Sequence, residues 1–119
     1  MPKHHPTNPL LLKTIRALKK ASKEGPRIWR ALAEELDKSK RRRNAVNLSK
    51  INRHTEPGDI VAVPGKVLGA GFLDHPVTVA AFNFSKTALE KIEMAQGRAI
   101  TLLELLEESV EPSKIKIIK

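Results

Sequence analysis

Glu56-Pro57-Gly58-Asp59-Ile60-Val61-Ala62-Val63-Pro64-Gly65-Lys66-Val67-Leu68-Gly69 sets the architecture of this chain. Glu56 to Asp59 is a turn signal, and the β-branched run Ile60-Val61-Ala62-Val63 has the form of a buried strand. Pro64-Gly65-Lys66 predicts a second turn before a short extended piece, Val67-Leu68, so a hairpin-like unit is expected here. After Gly69-Ala70-Gly71 and Asp74-His75-Pro76, the run Val77 to Phe82 predicts a central strand.

Outward toward the C-terminus, strands and helices alternate, as in α/β proteins. Ser85 is placed to cap a helix through about Gln96, with Ala88, Leu89, Ile92 and Ala95 inward and Gly97 in the left-handed position after its end. Arg98-Ala99-Ile100 reads as a short strand. Thr101 and Glu104 have the spacing of a capping box for a helix carrying Leu102, Leu105 and Leu106. Lys114 to Lys119 alternates isoleucine with lysine, which predicts a last, partly exposed strand whose lysines discourage edge pairing.

Outward toward the N-terminus, Asn8-Pro9 is an N-cap followed by proline at the first helical position, and Leu12, Ile15 and Leu18 repeat at helical spacing to about Ser22. Lys13, Arg16, Lys19, Lys20 and Lys23 occupy its other faces. Such a helix raises the question of a membrane surface, but its apolar stripe is narrow and has no Trp or Phe for a headgroup layer. Gly25-Pro26 ends it, and Ile28, Trp29, Leu32 and Leu36 share one face of a second helix, with Glu34, Glu35 and Asp37 facing away. Two helices joined by a tight turn suggest a helix-turn-helix; the acidic outer face of the second one argues against reading DNA with it.

Between these halves lies the most charged segment, Lys38 to Arg53, with seven cations and no carboxylate in sixteen residues. A few cations suit the C-terminus of the second helix, where carbonyls are unpaired, but four in succession from Lys40 to Arg43 exceed that need. Asn44, Asn47, Ser49 and Asn52 interleave hydrogen-bonding groups, and Val46, Leu48 and Ile51 supply apolar anchors that a solvated or targeting tail would lack. From Ala45 to Thr55 the alternation predicts an extended segment holding Lys50, Asn52, Arg53 and His54 in register on an exposed face.

The 119 residues suit one domain. Of the net charge of +9, residues 1–55 hold fifteen Lys and Arg against four Asp and Glu (+11), and residues 56–119 hold seven against nine (−2). A basic helical region, 1–45, packed on or extending from an α/β core, 46–119, is therefore expected, folding as one unit. Without cysteine there is no disulfide or thiolate site. The N-terminus lacks the apolar run of a signal peptide and no stretch is long enough to span a bilayer, so a cytosolic protein is the simplest expectation.

Catalytic and ligand motifs fail on inspection. A P-loop would need glycine at Ile60 and Ser or Thr at Val67; a dinucleotide loop would need glycine at Asp74. The histidines at 4, 5, 54 and 75 do not have zinc-ligand spacing, and no nucleophile and base pair up. Neither an enzyme, a metal site, a cofactor nor a small-molecule substrate is expected. The chemistry that remains is polyanion binding by Lys38, Lys40, Arg41, Arg42, Arg43, Asn44, Asn47, Lys50, Asn52, Arg53 and His54, with Lys66 as an extra phosphate contact. With only three Phe, one Trp and no Tyr, recognition of RNA shape is favoured over stacking on single strands. A module docking on an acidic protein or an anionic membrane is the rival reading.

Taken in order, Val46 to Arg53, Gly58 to Gly69, Val77 to Phe82 and then Ser85, Ala88, Glu90, Lys91 and Ile92 resemble the archaeal and eukaryotic large-subunit ribosomal protein eighteen-e family, related in its core to bacterial large-subunit protein fifteen. The resemblance covers essentially the whole chain, is nearer the archaeal form, and lies in the ordered set of motifs rather than in any one. It implies a compact α/β core of irregular β-β-α superhelical turns, preceded by two helices and a basic segment. It also implies a cytoplasmic place in the ribosome, with large-subunit ribosomal RNA and neighbouring ribosomal proteins as partners.

Overall fold

The computed structural model describes residues 8–38, 44–108 and 110–119, the side chains of Glu24 and Asn44 excepted. In chain order the elements are α1 (Pro9–Glu24), α2 (Arg27–Leu36), β1 (Asn44–Asn47), α3 (Leu48–Arg53), β2 (Ile60–Leu68), β3 (Thr78–Phe84), α4 (Lys86–Met94), β4 (Arg98–Thr101), α5 (Leu102–Glu107), a 3-10 turn (Pro112–Lys114) and β5 (Ile115–Ile117). The class is α/β, as expected. All strand pairs are parallel, in the order β1-β2-β3-β4, with β5 also on β2.

A strand has two hydrogen-bonding edges, and β3 takes one edge of β2. β5 and β1 divide the other: β5 pairs with Ile60 to Ala62 and β1 with Gly65 to Leu68. β2 is therefore bonded on both sides along most of its length. With helices covering both faces of the sheet as well, β2 is buried from Val61 to Gly65 and shows no alternation.

The expected hairpin is not formed. Pro64 and Gly65 lie inside one continuous strand, and pairing to β3 passes from Val63↔Ala81 to Lys66↔Asn83, so β2 holds one extra residue there. Proline cannot donate to a ladder, and a bulge accommodates that loss without reversing the chain.

Helices cover both faces of the sheet. On one, Leu11, Ile15 and Leu18 of α1 and Trp29, Leu32, Ala33 and Leu36 of α2 pack with Leu102 and Leu105 of α5 against Ala62, Ala80, Ile100 and Ile115. On the other, Leu48 and Ile51 of α3 and Ala88 and Ile92 of α4 pack on Val61, Val63, Val67, Val79 and Ala81. Alanines on the first face let two helices lie close to the strands. Leu18, Leu32 and Leu36 are fully buried, each stabilising the fold by about 1.5–3 kcal/mol. The apolar stripe of α1 thus belongs to the core and is not free to enter a lipid layer.

Several predicted ends are present as atoms. Asn8 Oδ1 accepts from the amides of Leu10 (2.9 Å) and Leu11 (3.4 Å). Thr101 and Glu104 form the reciprocal capping box, at 3.1 and 2.8 Å. Ser85 Oγ accepts from Ala88 N at 3.1 Å. The end of α4 differs. Gln96, not Gly97, takes the left-handed φ of +64°. Gln96 N donates to Glu93 O and Gly97 N to Ile92 O, both at 2.9 Å, which is a Schellman motif. Gly97 is small for another reason: a Cβ there would lie 2.4 Å from Val77 O.

Candidate nucleic-acid interface

The segment expected to run extended from Ala45 to Thr55 is a strand only to Asn47. Leu48 and Ile51 are fully buried and Thr55 nearly so, and spacings of three and four residues bring them to one side of a helix, which overrides the shorter alternation of Val46 and Leu48. Lys50 and Arg53 are consequently three apart on a short helix rather than spread along a strand.

Beside α3 is the last strand. A groove of 510 Å³ between them is lined by Lys50, His54, Lys116 and Lys119, with Ile117 and Ile118 beneath. Lys50 Nζ donates to the main-chain oxygen of Lys119 at 2.5 Å. Lys116 meets Asp59 Oδ2 at 2.8 Å, and Lys119 meets Glu35 Oε2 at 2.9 Å. The Lys116 ammonium, followed by the Glu56 amide, holds the Asp59 carboxyl below the usual carboxylate range. Two of the four basic residues thus each pair with a carboxylate, while Lys50 and His54 have no carboxylate partner among the described residues.

The other flank of α3 meets the connection from β2 to β3. Parallel neighbours are usually joined through a helix; here residues 69–77 cross the sheet without one. Ser49 N donates to Ala70 O at 3.1 Å. Gly71, at φ +88°, lies so close that a Cβ would be 2.6 Å from Ser49 Cβ. Lys91 of α4 donates to Gly69 O (2.7 Å) and Gly71 O (2.8 Å). Asn52 Oδ1 accepts from Asp74 N at 3.0 Å, and His75 bridges Asp74 Oδ1 (2.6 Å) and Thr55 Oγ1 (2.8 Å). Hydrogen bonding to His75, then to Asn52, keeps the Asp74 carboxyl below its ordinary value.

This pinned loop presents Phe72, 73% exposed, with Lys91 Nζ 4.7 Å from the ring centroid. A ring held this way offers a flat apolar surface backed by a cation.

The expected site residues are therefore unevenly distributed. Asn47, Lys50, Asn52, Arg53 and His54 come together on α3 and its cap, with Asn52 occupied by Asp74. Lys66 is exposed on β2, in register with Ala45 and Asn83. Lys38 follows α2 and pairs with Glu35 at 2.7 Å. Glu35, expected to face away, is instead largely buried and shared between Lys38 and Lys119. Lys40, Arg41, Arg42 and Arg43 lie outside the described residues, as does the side chain of Asn44.

Lys116, Lys119 and Phe72 were not among the expected site residues. The Ile-Lys alternation of the last strand carries the lysines, and a lone Phe in a glycine-rich turn is the only sequence signal for the ring. Among the described residues no cluster of His, Cys, Asp or Glu is arranged to hold a metal, and no helix is long and apolar enough to cross a membrane.

The family model for ribosomal proteins 50S-L15, 50S-L18e and their 60S counterpart matches residues 27–100. Large ribosomal subunit protein eL18 of Methanothermobacter thermautotrophicus is 53% identical over 114 residues, spanning 95% of this chain and 94% of that relative. The proteins of the same name from Sulfurisphaera tokodaii and Methanosphaerula palustris are 48% identical over 113 residues and 46% over 114; each match spans 95% of this chain, and 93% and 94% of the relatives. The resemblance carried by the ordered motifs is borne out, and the chain belongs to the family of ribosomal proteins that unites 50S-L15 and 50S-L18e with their 60S counterpart.

Proposed function

We propose that the chain binds and stabilises folded large-subunit ribosomal RNA through the basic run Lys40 to Arg43 and through Asn47, Lys50, Asn52, Arg53 and His54 of α3 and its caps. Lys38, Asn44 and Lys66 are further contacts. Family membership makes it a constituent of the large ribosomal subunit in the cytoplasm, with a structural rather than catalytic role. Its partners are ribosomal RNA and neighbouring large-subunit proteins.

The observation that carries this reading is the groove between α3 and the last strand, where Lys50, His54, Lys116 and Lys119 converge on one surface. Convergent cations suit phosphates that a folded RNA crowds together, and the asparagine at Asn47 suits phosphate oxygens or ribose hydroxyls. Arginine in the adjoining run can hold two phosphate oxygens at once. Phe72 adds a surface on which one unpaired base stacks, contributing about 1–3 kcal/mol. Residues 1–45 and 46–119 act as one folding unit, a reading supported by the core that α1 and α2 share with the sheet.

The test is binding to transcribed large-subunit ribosomal RNA across a salt series. With about six or seven phosphates engaged, log affinity falls against log salt with a slope of roughly −5 to −6. Alanine at Lys40 to Arg43 makes the slope shallower by about three to four and leaves the unfolding midpoint unchanged. Phe72→Ala weakens binding without altering the slope. A slope near zero, or binding to anionic vesicles that RNA does not compete away, refutes the reading.

A further inference from the structure

The longest helix carries a second cationic surface, away from the groove. Lys13, Arg16, Lys20 and Lys23 stand at i, i+3, i+7 and i+10 of α1, all exposed, so they form one stripe. Leu11, Ile15 and Leu18 occupy the opposite side and are buried. Arg27, which opens α2, is also exposed. None of these five has a carboxylate partner among the described residues. Neighbouring cations differ in this respect: Lys19 pairs with Asp37 at 3.5 Å and Arg30 with Glu34 at 3.2 Å.

Unpaired like charges on one face repel each other and add nothing to folding, so their arrangement is explained by a partner. The stripe from Lys13 to Lys23 is straight and about 15 Å long at the helical rise. Leu10, half exposed, lies at the start of the helix outside the stripe, leaving no large apolar anchor within it for a protein partner. A lipid surface is disfavoured because the apolar face of α1 is already spent on the core. A phosphodiester backbone needs only a row of cations.

We infer that α1 is a second RNA-contact surface and that the chain braces two RNA segments, one on each side of its sheet. This rests on the RNA-binding reading above. α1 packs with α2 and α5 in the layer that covers the sheet face of Ala62, Ala80 and Ile100, whereas α3 packs on the face formed by Val61, Val63 and Val79. The sheet lies between these two helix layers, so a single RNA strand does not reach both surfaces without wrapping the protein.

The experiment uses the full chain, two unconnected RNA hairpins (one biotinylated, one fluorescent) and capture on streptavidin. The wild type is expected to retain the fluorescent hairpin. A variant with glutamine at Lys13, Arg16, Lys20 and Lys23 loses that bridging, keeps binding a single hairpin through the α3 surface with a salt slope set by that surface alone, and unfolds at the same denaturant midpoint. Lys50→Gln with Arg53→Gln lowers single-hairpin affinity instead. If the α1 variant bridges and titrates like wild type while the Lys50/Arg53 variant is weakened, the second surface is refuted and the first stands. If the wild type binds no hairpin at low salt, the RNA-binding reading itself fails. Binding of α1 to phosphatidylserine vesicles in the presence of excess hairpin overturns the assignment of its partner.

Discussion

Alanine at Gly71 and alanine at Gly58 separate two costs that usually occur together. Both glycines have φ +88°, but a Cβ on Gly58 meets nothing within 4 Å, whereas one on Gly71 lies 2.6 Å from Ser49 Cβ and 2.8 Å from Ser49 N. The left-handed backbone costs an alanine about 1–2 kcal/mol, and the stiffer unfolded chain returns about 0.4–1 kcal/mol. Gly58→Ala therefore destabilises by about 1 kcal/mol. Gly71→Ala carries the same cost plus about 1–3 kcal/mol of overpacking, because its obstacle is helix backbone rather than a flexible tip. With a urea dependence of about 1–3 kcal/mol/M, the two midpoints should differ by about 1 M.

The functional readout separates them further. Relief of the Gly71 clash moves the loop off α3 and lengthens the bond from Ser49 N to Ala70 O, carrying Phe72 with it, so RNA affinity falls for Gly71→Ala and holds for Gly58→Ala. Equal midpoints for the two variants would refute the close approach of loop and helix on which the site geometry depends.

Two further outcomes follow from the local chemistry. Asp59 and Asp74 both have folded-state carboxyls depressed below their ordinary value of 3.8, so their contribution is present above the unfolded value and lost as pH falls toward the folded one; urea midpoints should drop below about pH 4, and Asp59→Asn combined with Asp74→Asn should flatten that acid limb, an unchanged limb counting against both. Gln96→Gly should raise stability by about 0.5–1 kcal/mol, the left-handed strain relieved at φ +64° less the added entropy of glycine, as read from thermal unfolding.

Local signals were legible wherever the responsible partners are near in sequence. Asn8-Pro9, Thr101 with Glu104, and Ser85 each name a donor and an acceptor a few residues apart, and all three caps form. The β-branched runs at Ile60 and Val77 likewise had to be strands. Pro64-Gly65 was misread because the same dipeptide serves as a turn or a bulge, and only the third strand alongside decides. The helix at Leu48 and Ile51 was obscured by the alternation before it, and one of its free N-terminal amides, Ser49 N, finds its acceptor, Ala70 O, twenty-one residues away. The groove was hidden for a related reason: Lys50 and Lys119 sit at distant points of the chain and meet only through the pairing of β5 with β2.

That pairing has a consequence for synthesis on the ribosome. While Ile115 to Ile117 remain inside the exit tunnel, the first half of β2 offers Ile60 to Ala62 as an unfilled backbone edge, and the Glu35 carboxylate still awaits Lys119. The nascent chain can condense its helices early, yet its central strand stays adhesive until those residues emerge. Sticking to other copies of itself is thus the hazard of the interval before β5 arrives, and the pairing of β5 with β2 is the event that ends it.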